Sequence, residues 1–167
     1  MKITPIKQIE KIVVNTGIGR LSSQPNFSDK VLPEISANFA AITGQKPSER
    51  SAKKSISSFK LREGTVVGLK ATLRKKRMEL FLDKVIRVVL PRVRDFQGIS
   101  INNIDGHGNL NFGVKDQLVF PEINPETSKS NFGLEITVVP RKHKTKDEAI
   151  AFYKEIGIPF EKTITKK

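Results

Sequence analysis

General acid and base catalysis needs carboxylates or imidazoles that converge and shift each other's pKa. The 17 Asp and Glu of this 167-residue sequence are scattered, mostly beside Lys or Arg, and its two histidines, His107 and His143, lie far apart along the chain. With no cysteine there is no thiolate nucleophile, disulfide or Cys-based metal site, and a reducing, intracellular home is allowed. Neither a G-x-S-x-G elbow, a Walker loop nor an H-E-x-x-H helix occurs. The turn Thr16-Gly17-Ile18-Gly19 leaves a strand candidate as a phosphate-cradling loop does, so a nucleotide-binding enzyme built on Gly17 and Gly19 is the rival reading. GIGRLS supplies only two glycines of G-x-G-x-x-G and no helix is expected to open at Arg20, so a plain glycine turn accounts for it. Calcium is the other temptation, in the Asn/Gly-rich run INNIDGHGNLNFG. A calcium loop with its glycine at Gly106 would need an acid at Ile101 and a glutamate at Phe112. No catalytic residue, cofactor or metal site is therefore assigned.

The residue types support binding instead. Lys46 to Arg77 (KPSERSAKKSISSFKLREGTVVGLKATLRKKR) holds 11 of the 30 Lys and Arg but only two acids, Glu49 and Glu63. Nine of the 13 net positive charges thus sit in 32 residues. Such a block repels itself unless water or a polyanion screens it. A solvated charge run is the plainer reading, and three details weigh against it. Ile56, Phe59, Leu61, Val66, Val67, Leu69 and Leu73 are interleaved with the charges, as on a folded basic surface. Val67, Leu69, Ala71 and Leu73 alternate with Gly68, Lys70, Thr72 and Arg74, the period of a half-buried strand that puts Lys70, Thr72 and Arg74 on one polar face. Lys75, Lys76 and Arg77 immediately precede a helical stretch, where the macrodipole disfavours positive charge by about 0.3–1 kcal/mol per group.

Those residues need a scaffold, and 167 residues at 37% hydrophobic suffice for one core; a single domain over 1–167 is expected. No apolar run approaches the roughly 18 residues of a membrane span, and the start MKITPIKQIEK has no signal or transit character, so the chain is expected to be mature and soluble. A pI near 10.1 favours nucleic acid as partner, with an anionic membrane surface second.

Ile9 to Asn15 (IEKIVVN) is the first strand candidate. From Ser28 to Thr43, Val31, Ile35, Phe39 and Ile42 share a helical face, with Ser28 as N-cap and Gly44 as stop; Pro33 requires either first-turn placement or a helix starting near Leu32. Lys53-Lys54-Ser55 and Arg62-Glu63-Gly64 read as a long hairpin or exposed loop between strands. The spacing of Met78, Phe81, Leu82, Val85, Ile86 and Val89 predicts a helix over 78–90 ended by Pro91, followed by Arg94 and Asp95 as a local ion pair. Gly98 to Gly113 is expected to be irregular, with Asp105-Gly106 as a turn; Val114 to Ile123 is mixed, and Phe132 to Val139 is a strand. The last helix has a capping box, Thr145 with Glu148, stops at Gly157 and buries Ile150, Ala151, Tyr153 and Ile156. No internal repeat is present.

In order and spacing, the runs IEKIVVN, ITGQKP, AKKSISSFKLREG, TLRKKRMELFLDK, LPRVRDFQG, DGHGN and QLVFPEI resemble the large-subunit ribosomal protein number five family, from about Ile9 to Phe160. The resemblance implies an α+β fold, an antiparallel sheet with helices packed on one face. It implies a non-enzymatic constituent of the large subunit that binds 5S rRNA and adjacent large-subunit rRNA in the central protuberance. Peptidyl-site tRNA, neighbouring large-subunit proteins and a small-subunit protein across an inter-subunit bridge are further implied partners, on a cytoplasmic or organellar ribosome. Carried over position by position, the 5S-contacting residues are Asn15, Gln45 and Thr72. Uncharged side chains suit sugar 2′-hydroxyls and base edges, while Lys11, Lys46, Lys70, Arg74 and Arg77 would supply phosphate contacts. The loop with Lys53, Lys54, Ser55, Phe59 and Arg62 would approach tRNA, and the segment from Asp105 to Ile123 is the candidate bridge.

Three departures stand out. Family members begin with an amphipathic helix ahead of the first strand, and here Met1 stands only a few residues before it. RDFRG and DGRGN read RDFQG and DGHGN, so Gln97 and His107 each remove a fixed charge. Arg141-Lys142-His143-Lys144 is unusually basic, which suggests a compensating contact. A membrane-surface protein would need a basic amphipathic helix, whereas the helix after Arg77 mixes Lys84 with Glu79 and Asp83.

Overall fold

Five strands form, β1 Ile9–Gly17, β2 Ser48–Ser51, β3 Val66–Leu73, β4 Leu110–Val114 and β5 Leu134–Pro140, and all but the exposed β2 bury apolar residues on one face. They form one antiparallel sheet in the order β2-β3-β1-β5-β4. With helices α1 Leu32–Thr43, α2 Lys75–Lys84 and α3 Lys146–Ile156, the fold is α+β as expected. The structure, a computed structural model, describes residues 8–59, 61–126, 128 and 130–161. Residues 1–7, where the resemblance raised the question of a further helix, lie outside the described residues.

The chain divides into two compact units whose boundary crosses β1 after Ile12 and β5 before Ile136. Unit one takes the chain up to Ile12, Arg74–Phe112 and everything from Ile136 on; unit two takes Val13–Leu73 and Gly113–Glu135.

In unit two, Val14, Leu69, Ala71 and Leu73 from the strands are buried, as are Ile35, Phe39 and Ile42 of α1. The start of α1 differs from expectation. Ser28 is no cap: a π turn, Phe27–Val31, opens at Asn26 in the left-handed region (φ 59), and regular helix begins at Leu32 with Pro33 in its first turn. Pro33 lacks the N–H that a first-turn residue would leave unbonded anyway, which is why it is tolerated there. The stop is as expected, because Gly44 takes φ 67 and donates to the Ala40 carbonyl at 2.8 Å. Buried Gln117 ties the stretch after β4 together, donating to the Ser130 carbonyl at 2.7 Å and accepting from the Phe132 N–H at 2.8 Å.

In unit one, α2 begins at Lys75, so Lys75, Lys76 and Arg77 form its first turn rather than preceding it. The helical path continues through a π turn, Val85–Val89, and a last turn, Leu90–Arg92. Pro91 therefore does not end it; its missing N–H leaves a carbonyl of the preceding π turn without that bond, and the chain extends only at Val93. Among the described residues no ion pair joins Arg94 and Asp95. The run 98–113 is less irregular than its Asn and Gly suggest, since Leu110–Val114 pairs as β4, with Leu110, Phe112 and Val114 buried. Burial of alternate apolar residues outweighs the low strand propensity of Asn111 and Gly113 between them. In α3 the buried residues are Ala149, Phe152 and Tyr153; Ala151 is exposed and Ile150 and Ile156 are half-buried. The Tyr153 hydroxyl donates to the Gly108 carbonyl at 2.8 Å and lies 3.1 Å from that of Val138, and burial pushes its pKa up.

Candidate nucleic-acid interface

The strand face inferred from the sequence exists in unit two. β2 pairs with β3 so that Ser48 faces Lys70 and Arg50 faces Gly68. On the other side of β3, the Ile18 N–H donates to the Val67 carbonyl at 2.9 Å. Carried antiparallel along β1, that bond sets Asn15 beside Lys70 and Val13 beside Thr72. Burial agrees: Val14, Thr16, Leu69 and Ala71 are buried, while Val13, Asn15, Lys70 and Thr72 are half-buried on the opposite face. One row across three strands thus reads Asn15, Lys70, Ser48, with Thr72 in the next row.

Gln45, also half-buried, follows the αL stop of α1, where the Thr43 hydroxyl donates to its backbone carbonyl at 3.0 Å. Among the described residues, no hydrogen bond within the chain engages the side chains of Asn15, Gln45 or Thr72. Amides and hydroxyls on a surface normally meet water; here Asn15 and Thr72 share one face with Lys70, while Gln45 stands after the end of α1. Next to Asn15 lies an open hollow of about 430 Å³, lined by Gly17, Gly113, Lys115, Gly133 and Glu135 among others.

Lys46 is exposed in unit two near this face, but Lys11, Arg74 and Arg77 fall in unit one. Lys11 is half-buried and pairs with Glu10 at 3.2 Å, a surface contact worth about 0–1 kcal/mol. Arg74 is extended (φ −139, ψ 160) just ahead of α2, and Arg77 lies exposed in the first turn. Ser48 and Arg50 also lie on this face, and nothing in the sequence marks them, because the four polar residues of SERS carry no apolar period and only the pairing with β3 places them.

The hairpin loop is as expected. Ala52 N–H donates to the Thr65 carbonyl at 2.8 Å and Gly64 N–H to that of Ala52 at 3.0 Å, while Ile56 and Leu61 bridge nearer the tip. The Ser55 hydroxyl accepts from the Glu63 N–H at 2.9 Å. Lys53, Lys54 and Arg62 are exposed, and Phe59 is 76% exposed in a short 3-10 turn. A bare aromatic ring among cations is a stacking platform in chemical terms.

The Asp105 to Ile123 segment is divided, with its first part in unit one and 113–123 in unit two. Asp105 closes a turn, as expected. His107 and His143, distant in sequence, meet edge to face with centroids 5.2 Å apart. Among the described residues no group of three or more His, Cys, Asp or Glu is placed to hold a metal, and no helix is long and apolar enough to cross a membrane.

A family model described as ribosomal protein L5 matches residues 5–62, and one described as the ribosomal L5P family C-terminus matches residues 66–160. The chain belongs to the ribosomal protein L5 family. Curated L5 relatives named large ribosomal subunit protein uL5 agree. That of Pseudothermotoga lettingae is 49% identical over 160 residues, covering 96% of this chain and 85% of the relative. The Fusobacterium nucleatum protein is 48% identical over 155 residues (93% and 82%), and the Thermus thermophilus protein 44% over 157 (94% and 84%). L5 membership makes this a ribosomal structural protein and not an enzyme. The two L5 models meet inside the hairpin, between Arg62 and Val66.

Proposed function

We propose that this protein is a constituent of the large ribosomal subunit that holds 5S rRNA on the outward face of β1, β3 and β2. Asn15, Gln45 and Thr72 read sugar hydroxyls and base edges. Lys46, Lys70 and Ser48 flank them, and the cations set the register through phosphates. The observation that carries this reading is the presence of three half-buried, uncharged side chains with unused hydrogen-bonding capacity in a basic setting. A catalytic surface would hold titratable groups there instead.

The same reading gives the exposed loop with Lys53, Lys54, Ser55, Phe59 and Arg62 to peptidyl-site tRNA, and adjacent large-subunit rRNA to Lys11, Arg74 and Arg77. The inter-subunit bridge to a small-subunit protein would come from within Asp105 to Ile123. The chain works as one RNA-binding domain on the cytoplasmic ribosome.

Filter binding to 5S rRNA tests it. If 6–10 phosphates are neutralised, affinity falls by roughly 10³–10⁵ between 50 and 200 mM salt. Replacing Asn15, Gln45 and Thr72 together by Ala should abolish binding while thermal unfolding stays nearly unchanged. An intact complex would refute the assigned contacts.

A further inference from the structure

After β5 the chain places Arg141, Lys142, Lys144 and Lys146 within six residues, with His143 among them. In the same unit the turn 105–109 packs against this run. The Asp105 carboxylate builds that turn, accepting from the His107 and Asn109 N–H groups at 2.9 Å each and from the Asn109 amide at 2.7 Å. Burial tends to raise its pKa, but those donors outweigh it and hold the carboxyl below the usual range. Gly108, at φ 82, passes so near Lys144 that a Cβ there would stand 3.0 Å from that residue's Cβ and carbonyl oxygen. This close approach is what brings the His107 and His143 rings together.

Three of the four cations are positioned by neutral groups, and Lys142 is exposed. Arg141 Nε donates to the Ile9 carbonyl at 3.3 Å, the Lys144 ammonium lies 4.7 Å over the centre of the Phe152 ring, and Lys146 Nζ donates to Asn102 Oδ1 at 3.4 Å. Nearby acids are otherwise engaged: Asp105 by its turn, and Glu148 by the Thr145 N–H at 2.9 Å. Asp147 is exposed. Among the described residues, no ion pair joins an acid to any cation of this run. Glu148 is near enough to feel Lys144 and His143, and Asp105 to feel His107, but with no direct ion pair the excess positive charge of the run is preorganised for an anion.

We propose that Lys142, Lys144 and Lys146, with His107 and His143, form a second contact with ribosomal RNA, made to backbone phosphates. This rests on the RNA-binding reading above and adds to the Lys11, Arg74 and Arg77 contact of unit one a further set of residues in the same unit. Unlike the β1–β3–β2 face it offers no row of uncharged side chains, so it neutralises charge without reading bases. His107, which replaces a fixed charge in the family pattern, contributes its ring through the contact with His143.

The test is a salt titration of the full chain, from 50 to 200 mM, against RNA from dissociated large subunits with 5S rRNA included. Lys142→Gln with Lys146→Gln should make the log–log slope shallower by about two, since each lost phosphate contact removes about one. Binding should weaken uniformly for every RNA, thermal unfolding should not move, and Lys142→Arg with Lys146→Arg should keep the wild-type slope. An unchanged slope in the Gln variant overturns the proposal, even if an acidic protein proves to bind there. If the Asn15, Gln45 and Thr72 variant loses RNA while the Gln variant matches wild type, only this second contact fails. If the wild-type chain binds no RNA at all, the RNA reading fails with it.

Discussion

Two helices of unit one begin in opposite ways. At α3 the Thr145 side chain accepts from the Glu148 N–H, the Glu148 carboxylate accepts from the Thr145 N–H, and Asp147 adds a second negative charge to the first turn. The orphan donors and the positive end of the dipole are satisfied from within the chain. At α2, Arg74 gives no side-chain cap, the first turn holds Lys75, Lys76 and Arg77 with no acid, and Lys75 sits at φ 53, where lysine is strained. The difference teaches that one terminus is completed by its own sequence, whereas the other gives up local stability and presents charge outward. RNA binding, as proposed, explains why such an arrangement is kept.

Four experiments break or sharpen this contrast. The largest effect is expected from Lys75→Glu with Lys76→Glu, which should cut rRNA affinity about 10²-fold if two charge-assisted contacts of about 1.5 kcal/mol each are lost. The same variant should unfold at higher temperature, because acids suit a helix start; lower stability would show that those lysines support the fold. Thr145→Ala should cost about 1 kcal/mol in denaturant melts and weaken RNA binding far less than the Lys75 and Lys76 variant, since it loosens but keeps the flanking Lys144 and Lys146. Third, acid should loosen α3 and the 105–109 turn. The Thr145 hydrogen bonds depress the Glu148 pKa, and the Asn109 and His107 donors depress that of Asp105 against burial. A group depressed on folding contributes stability above its unfolded pKa and loses it as pH falls through the folded value. Stability should therefore decline below about pH 4, and Glu148→Gln with Asp105→Asn should flatten that decline. The smallest change is Lys75→Gly, which removes the positive-φ strain and should leave stability within about 1 kcal/mol of wild type or raise it, seen as a small shift in urea midpoint.

What could be read beforehand follows the range of the forces involved. The capping box, the Gly44 and Gly157 stops and the alternating face of β3 depend on neighbours a few residues apart, so Thr145, Glu148, Lys70 and Thr72 were legible. The start of α1 was not, since Ser28 has cap chemistry but the chain turns earlier, at Asn26. β4 was hidden by Asn111 and Gly113, whose strand pairing is decided by distant β5, as in the Thr137 hydroxyl donating to Asn111 at 2.7 Å. Likewise Ser48 and Arg50 join the polar face only through pairing with β3, and the meeting of His107 with His143 depends on Gly108. Family resemblance picked out Asn15 and Gln45, for which composition and period had no signal.

The edge of the sheet has one more consequence. β2 is an outermost strand whose four residues, Ser48 to Ser51, are all exposed, and its ladder with β3 slips between Arg50 and Ser51. A short, charged and interrupted border of this kind is a poor template for another copy's backbone. If the chain is made apart from the RNA proposed above, such a border disfavours edge-to-edge pairing of free copies through β2.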